Sequence, residues 1–188
     1  MPSIDIHLAI ARQYLTKHKD IKNTEDFIKG NVAPDLVEDK FISHYSEKVE
    51  NENDLLEDVR KKVKMNEFLK YNKIITDYEK GVFFHLTVDY LFFNNFIEKE
   101  YLIQNTDDEF RKDLYYSYNR TNKYLKTKYD TSYGKLREKI EKYINISKSK
   151  TDYNDGKRVD IIPDKKLDKF ISKVSDKDIQ YFINYKWT

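Results

Sequence analysis

The stretch GVFFHLTVDYLFF, residues 81–93, sets one imidazole, His85, and one carboxylate, Asp89, into an otherwise apolar and aromatic run. A buried ionised carboxylate is costly unless it is paired, hydrogen-bonded or bound to a metal. Four residues apart on a helix, the two side chains reach one point in space, as the paired ligands of helical metal sites do. Two readings of the pair stand side by side: ligands of an ion, or an imidazole and a carboxylate bonded to each other within a core.

The chain holds four histidines, so further imidazole donors are few. His7 falls on an amphipathic first helix and His44 in FISHYS, while His18, flanked by lysines in TKHKD, reads as a solvated residue. Asp35 stands in the Gly- and Pro-constrained segment GNVAPD, upstream of His44. An Asx turn is the commoner use of an aspartate there. Taken together, His7, Asp35, His44, His85 and Asp89 form a three-His, two-Asp set of nitrogen and oxygen donors, suited to zinc and acceptable to iron or manganese. The absence of cysteine removes thiolate sites and disulfides.

Helices must position these donors. Charged residues make up 36% of the chain against 39% hydrophobic, with only four Gly and three Pro, a balance that predicts an all-α multi-helix bundle. Ser3 caps a first helix running to about Lys17. NTEDFIKG reads as a short helix ended by Gly30, with GNVAPD a tight loop and Pro34 holding Ala33 extended. Leu36 to Glu50 is weakly helical. A further helix, opened by Asn53 or Asp54, carries Leu55, Leu56, Val59, Val63, Phe68 and Leu69. A longer one covers 73–100, where Phe84, His85, Val88, Asp89 and Phe92 share a face. Helices are also expected over 107–128, 134–145, 164–173 and 176–185.

At 188 residues the chain suits one domain. Residues 1–146 form the expected helical metal-binding domain, 147–158 a polar linker or loop, and 159–188 a helical extension packed on the same body. Basic and acidic residues number 35 and 33 and are interleaved, which gives no strong nucleic-acid signal. No apolar run is long enough for a transmembrane segment and no signal peptide is visible, so a cytoplasmic location is expected. HExxH, ExxH, His-Asp, GxxxxGK[ST] and GxGxxG are all absent, which removes the common metalloprotease, di-iron, HD-phosphohydrolase and nucleotide-loop readings.

The order of these residues resembles the bacterial zinc-dependent phospholipase C family and its relatives, the single-strand-specific zinc nucleases. Their pattern of an early helical histidine, a GN-x-x-PD segment, a following histidine and an HxxxD helix is matched by His7, GNVAPD with Asp35, His44, and HLTVD with His85 and Asp89. The match covers about residues 5–97. The resemblance implies a helical bundle that hydrolyses phosphate esters with metal-activated water. Asp35, His44, His85 and Asp89 would surround one ion, and Asp89 would bridge to a second that also uses His7. Asp35 would also take a proton as the catalytic residue.

The chain departs from that pattern in three ways. Its single tryptophan is Trp187, whereas the family ligates metal with an N-terminal one; no histidine follows His85; and no secretion signal is visible. A third ion would need Asp107, Asp108, Glu109, Asp113 or Asn119. Two functions are therefore carried forward. One is a hydrolase with one or two ions acting on a small phosphate ester or phospholipid head group. The other is a non-catalytic helical module with a structural metal or a buried His/Asp network.

Overall fold

In the computed structural model of the protein, the described residues are 2–37, 39–46, 63–105, 107–148 and 157–187. Among them there is no strand, and the all-α class holds. Helix α1 spans Ile4–Lys17, with the Ser3 side chain accepting from the Ile6 N–H at 3.4 Å. Ser3 also donates to Asn122 Oδ1 at 2.6 Å, so the cap ties α1 to a later helix. Ile6, Ala9, Ile10 and Tyr14 enter the core, and α1 lies buried through most of its length.

Helix α2, Thr24–Leu36, is opened by Asn23, whose side chain accepts from the Asp26 N–H at 3.1 Å. It does not end at Gly30. The helix passes through GNVAPD and carries Pro34 in its last turn, so the expected loop and the extended Ala33 are both corrected. The physical reason is packing. A Cβ at Gly30 would lie 2.0 Å from the Tyr78 carbonyl oxygen, and one at Gly81 would lie 2.2 Å from that of Phe27. These glycines are spent on a close helix crossing, not on a positive-φ cap.

The partner in that crossing is a later helix. A four-residue helix α3 (Lys40–Ser43) and helix α4 (Met65–Tyr71) come first, and α5 follows at Asp77–Leu91. The expected helix opened at Asn53 or Asp54 lies outside the described residues except for its end, where Phe68 and Leu69 fall on α4 and Val63 precedes it. Thr76 and Glu79 make a reciprocal capping box at the start of α5. The helix expected over 73–100 is broken: α5 yields to a π-helical turn, Phe92–Phe96, in which the Ile97 N–H bonds the Phe92 carbonyl at 3.0 Å. Extended backbone at Ile97 then separates α6, Lys99–Gln104.

Helix α7 spans Asp107–Tyr129, and a 3-10 turn at Gly134–Leu136 leads into α8, Arg137–Lys148. Most of the expected 147–158 linker lies outside the described residues. Beyond it come α9, Asp164–Ser175, and α10, Ile179–Ile183. This C-terminal part docks through named contacts. The Val159 N–H bonds Asp113, the Ile161 N–H bonds Ser117, and Arg120 meets Asp160 at 2.9 Å and Asp164 at 2.6 Å. Trp187 closes over Tyr90 and Phe83. His18 is not simply solvated: its ring stacks on Tyr14 and its Nε2 contacts the Ser175 carbonyl at 2.9 Å, which joins α1 to α9. No helix among the described residues is long and apolar enough to cross a membrane.

Candidate metal centre

Four elements converge on one buried point. His7 comes from the first turns of α1, Asp35 from the last turn of α2, His44 from the turn after α3, and His85 and Asp89 from successive turns of α5. The Gly30–Gly81 crossing lets α2 and α5 approach closely enough for Asp35 and His85 to meet. Exposure is 0% for His7 and His85, 1% for Asp89, 2% for Asp35 and 3% for His44, so the carboxylates need compensation from within the protein.

The histidine ring atoms report which nitrogens face the centre. His85 Nδ1 lies 2.7 Å from the Asn31 carbonyl oxygen, which can only accept, so Nδ1 carries the proton. Ser43 Oγ donates to the Pro34 carbonyl at 2.9 Å, and its one proton being used, His44 Nδ1 donates to Ser43 at 2.9 Å. In the neutral rings both Nε2 atoms are therefore lone-pair donors. They face each other at 3.1 Å. Asp89 Oδ2 completes a nearly equilateral triangle, 3.3 Å from His85 Nε2 and 3.4 Å from His44 Nε2. Three electron-rich atoms held this way repel one another unless a cation or proton lies among them.

These separations fit a small ion. Tetrahedral bonds of about 2.0–2.1 Å set donors about 3.3–3.4 Å apart. Asp35 Oδ1 stands 3.6 Å from His44 Nε2, a position for a fourth donor. The second carboxylate oxygen of Asp89 turns the other way, 3.4 Å from His7 Nε2. The His7 ring stacks on His85 with centroids 3.8 Å apart, and its buried nitrogens make no hydrogen bond among the described residues. Two overlapping groups can hold an ion: His44, His85 and Asp89, and His7, Asp35 and His85. The Asn31 carbonyl on His85 Nδ1 and the Ser43 hydroxyl on His44 Nδ1 are the kind of support that fixes metal-ligating imidazoles.

The charges follow from the same geometry. Burial and the neighbouring His85 push the His7 imidazole down to about 4, so it is neutral at physiological pH. Burial would raise the Asp35 carboxyl, but His44, His85 and His7 outweigh it and hold it at about 2. Asp89 is likewise held well below the usual carboxylate range by His85 and His7 against the effect of burial. His85 moves up because Asp89 and Asp35 outweigh its desolvation. One imidazolium leaves the two carboxylates half neutralised, whereas one divalent ion among neutral imidazoles balances both.

Two features were not visible in the sequence. The Asn31 carbonyl fixes the His85 ring, and a backbone acceptor carries no residue-type signal. Tyr115, on α7, has its phenol raised by burial, with Arg111 and Asp35 pulling in opposite directions. Among the described residues, Asp108, Asp113 and Asn119 do not gather into a third donor set. Asp113 is bound by the Tyr101 hydroxyl and the Val159 N–H, Asp108 pairs with Lys112 at 2.8 Å, and Asn119 is exposed.

No family model, curated protein or solved structure matches this chain. A buried His/Asp cluster that can hold a metal ion is what these residues make.

Proposed function

We propose that the protein is a metal-dependent hydrolase of phosphate esters, with zinc as the first candidate ion and iron or manganese as alternatives. The observation that carries this reading is the triangle of His44 Nε2, His85 Nε2 and Asp89 Oδ2, whose lone pairs converge without a proton to share in the neutral state. Asp35 supplies the fourth donor. His7 and the outer oxygen of Asp89 extend the set toward a second ion. A divalent ion held there supplies Lewis acidity to a phosphoryl oxygen and makes water a better nucleophile at neutral pH.

The chain's own residues divide the remaining work. His85 is held in one tautomer by Asn31, and His44 by Ser43, so both present Nε2 inward. Asp35, held at about 2, is ionised throughout the physiological range and serves first as a ligand, because so weak a base takes a proton inefficiently. The substrate class is a small phosphate ester or phospholipid head group.

A specific observation favours a second reading, a structural ion in a non-catalytic module: all five donors are at most 3% exposed. A closed four-donor site leaves no position for water. Elemental analysis of protein purified without added metal, followed by a panel of phosphomonoesters and phosphodiesters, tests both. Stoichiometric metal with turnover that is lost in Asp89→Asn supports the hydrolase. Stoichiometric metal without turnover on any substrate selects the module, and no metal with no zinc-induced rise in melting temperature removes both.

A further inference from the structure

A second site lies away from the metal centre. A groove of about 280 Å³ runs between α9, α10 and the π-helical turn. Its floor is apolar: Phe96, Phe170, Val174 and Phe182 line it, each between 2% and 8% exposed. One wall is basic. Lys166, Lys169 and Lys173 recur at i, i+3 and i+7 on α9, so they share one stripe of that helix above the floor, and Lys177 follows at its end.

The lysines are not equivalent. Lys166 is committed to Glu98 at 2.8 Å, and Lys177 lies over the Tyr181 ring at 4.9 Å. Lys169 and Lys173 remain exposed, with no ion pair among the described residues. Two uncommitted ammonium groups at the lip of an apolar trough complement a ligand that is anionic at one end and aliphatic along the rest.

We propose that this groove binds a single-chain anionic amphiphile, a long-chain carboxylate, with its tail on Phe96, Phe170, Val174 and Phe182 and its head between Lys169 and Lys173. The proposal stands independently of the metal reading. It also comes with a built-in reporter: Trp187 is the only tryptophan, and its ring lies 4.7 Å from Tyr185 and 6.5 Å from Phe182, both groove residues.

Dodecanoate titrated below its micelle-forming concentration is expected to give a saturable change in Trp187 fluorescence. Lys169→Glu/Lys173→Glu should weaken that binding at least tenfold, as should replacing dodecanoate by uncharged dodecanol, while butyrate should not bind. Both lysines are exposed, so the double variant should fold, which circular dichroism checks; Lys169→Gln with Lys173→Gln, expected to weaken binding severalfold, replaces it if it does not. No saturable change, equal affinity in the lysine variants, or binding only to anionic vesicles and not to free dodecanoate overturns the proposal.

Discussion

At the scale of single residues, the centre behaves as a competition between a proton and a metal for the same lone pairs. His85→Ala or Asp89→Ala removes one corner of the donor triangle and should abolish metal retention, measured by elemental analysis after dialysis. Zinc at about 100 times its dissociation constant stabilises the native protein by about 2.7 kcal/mol. For a chain of this size that is a rise in melting temperature of about 5–10 °C, absent in either variant. Metal-free protein has its own signature. His7 sits at about 4 instead of its ordinary 6.5, so between those values the unfolded chain binds more protons than the native one. Stability therefore falls as pH is lowered through that window, by about 2 kcal/mol between pH 7 and 5 from this residue. His85, raised, contributes in the opposite direction, its stabilisation present at low pH and lost as pH rises. Urea unfolding in chelator at the two pH values, compared with His7→Phe, isolates the His7 share: the variant should show a flatter dependence.

At the scale of elements, the crossing of α2 and α5 positions Asp35, His85 and Asp89, three of the five donors. Gly81→Ala drives a Cβ to 2.2 Å from the Phe27 carbonyl oxygen and 2.8 Å from the Asn31 amide nitrogen, both backbone. Neither can swing aside, so a loss of about 3 kcal/mol or more is expected, with weaker zinc binding because Asn31 anchors His85. Gly134→Ala is the contrasting case. Its Cβ meets nothing, and only the positive φ of 49° opposes it, so about 1 kcal/mol should be lost and metal binding left unchanged. The same pair explains what the sequence disclosed. Helix α5 was legible because Phe84, His85, Val88, Asp89 and Phe92 keep helical spacing, while its start, the Thr76–Glu79 capping box, lies a turn beyond the expected residue 73. Gly30 was misread because one letter serves two purposes: a helix stop and a close backbone approach look alike until the second helix is in place. The break at Ile97 was hidden for a related reason, since FFNNF is equally compatible with α and π hydrogen bonding. The histidine and aspartate spacings showed which side chains could meet. Which nitrogen of each ring faces inward depends on carbonyls of Asn31 and Pro34, and those leave no trace in residue type.

At the scale of the whole molecule, the C-terminal part is a fastening. Residues 159–187 reach α1 through His18 and Lys17, α7 through Asp113, Ser117 and Arg120, and α5 through Trp187. Trp187→Ala should cost about 3–5 kcal/mol, followed by far-ultraviolet circular dichroism in urea because the fluorophore is lost. Loosening there reaches the centre by a short path: Phe83 touches Trp187 and stands two residues before His85. The glycine crossing, finally, has a consequence for which ions the protein can accept. Calcium prefers oxygen ligands at about 2.3–2.6 Å, several tenths of an ångström beyond the bonds zinc makes to nitrogen and oxygen. Seating it would push α2 away from α5 and so forfeit the close backbone packing that Gly30 and Gly81 permit, in a gap where a single methyl group would not fit. The crossing thus acts as a gauge of ionic radius, and the melting temperature should respond to zinc while calcium at the same concentration leaves it unmoved.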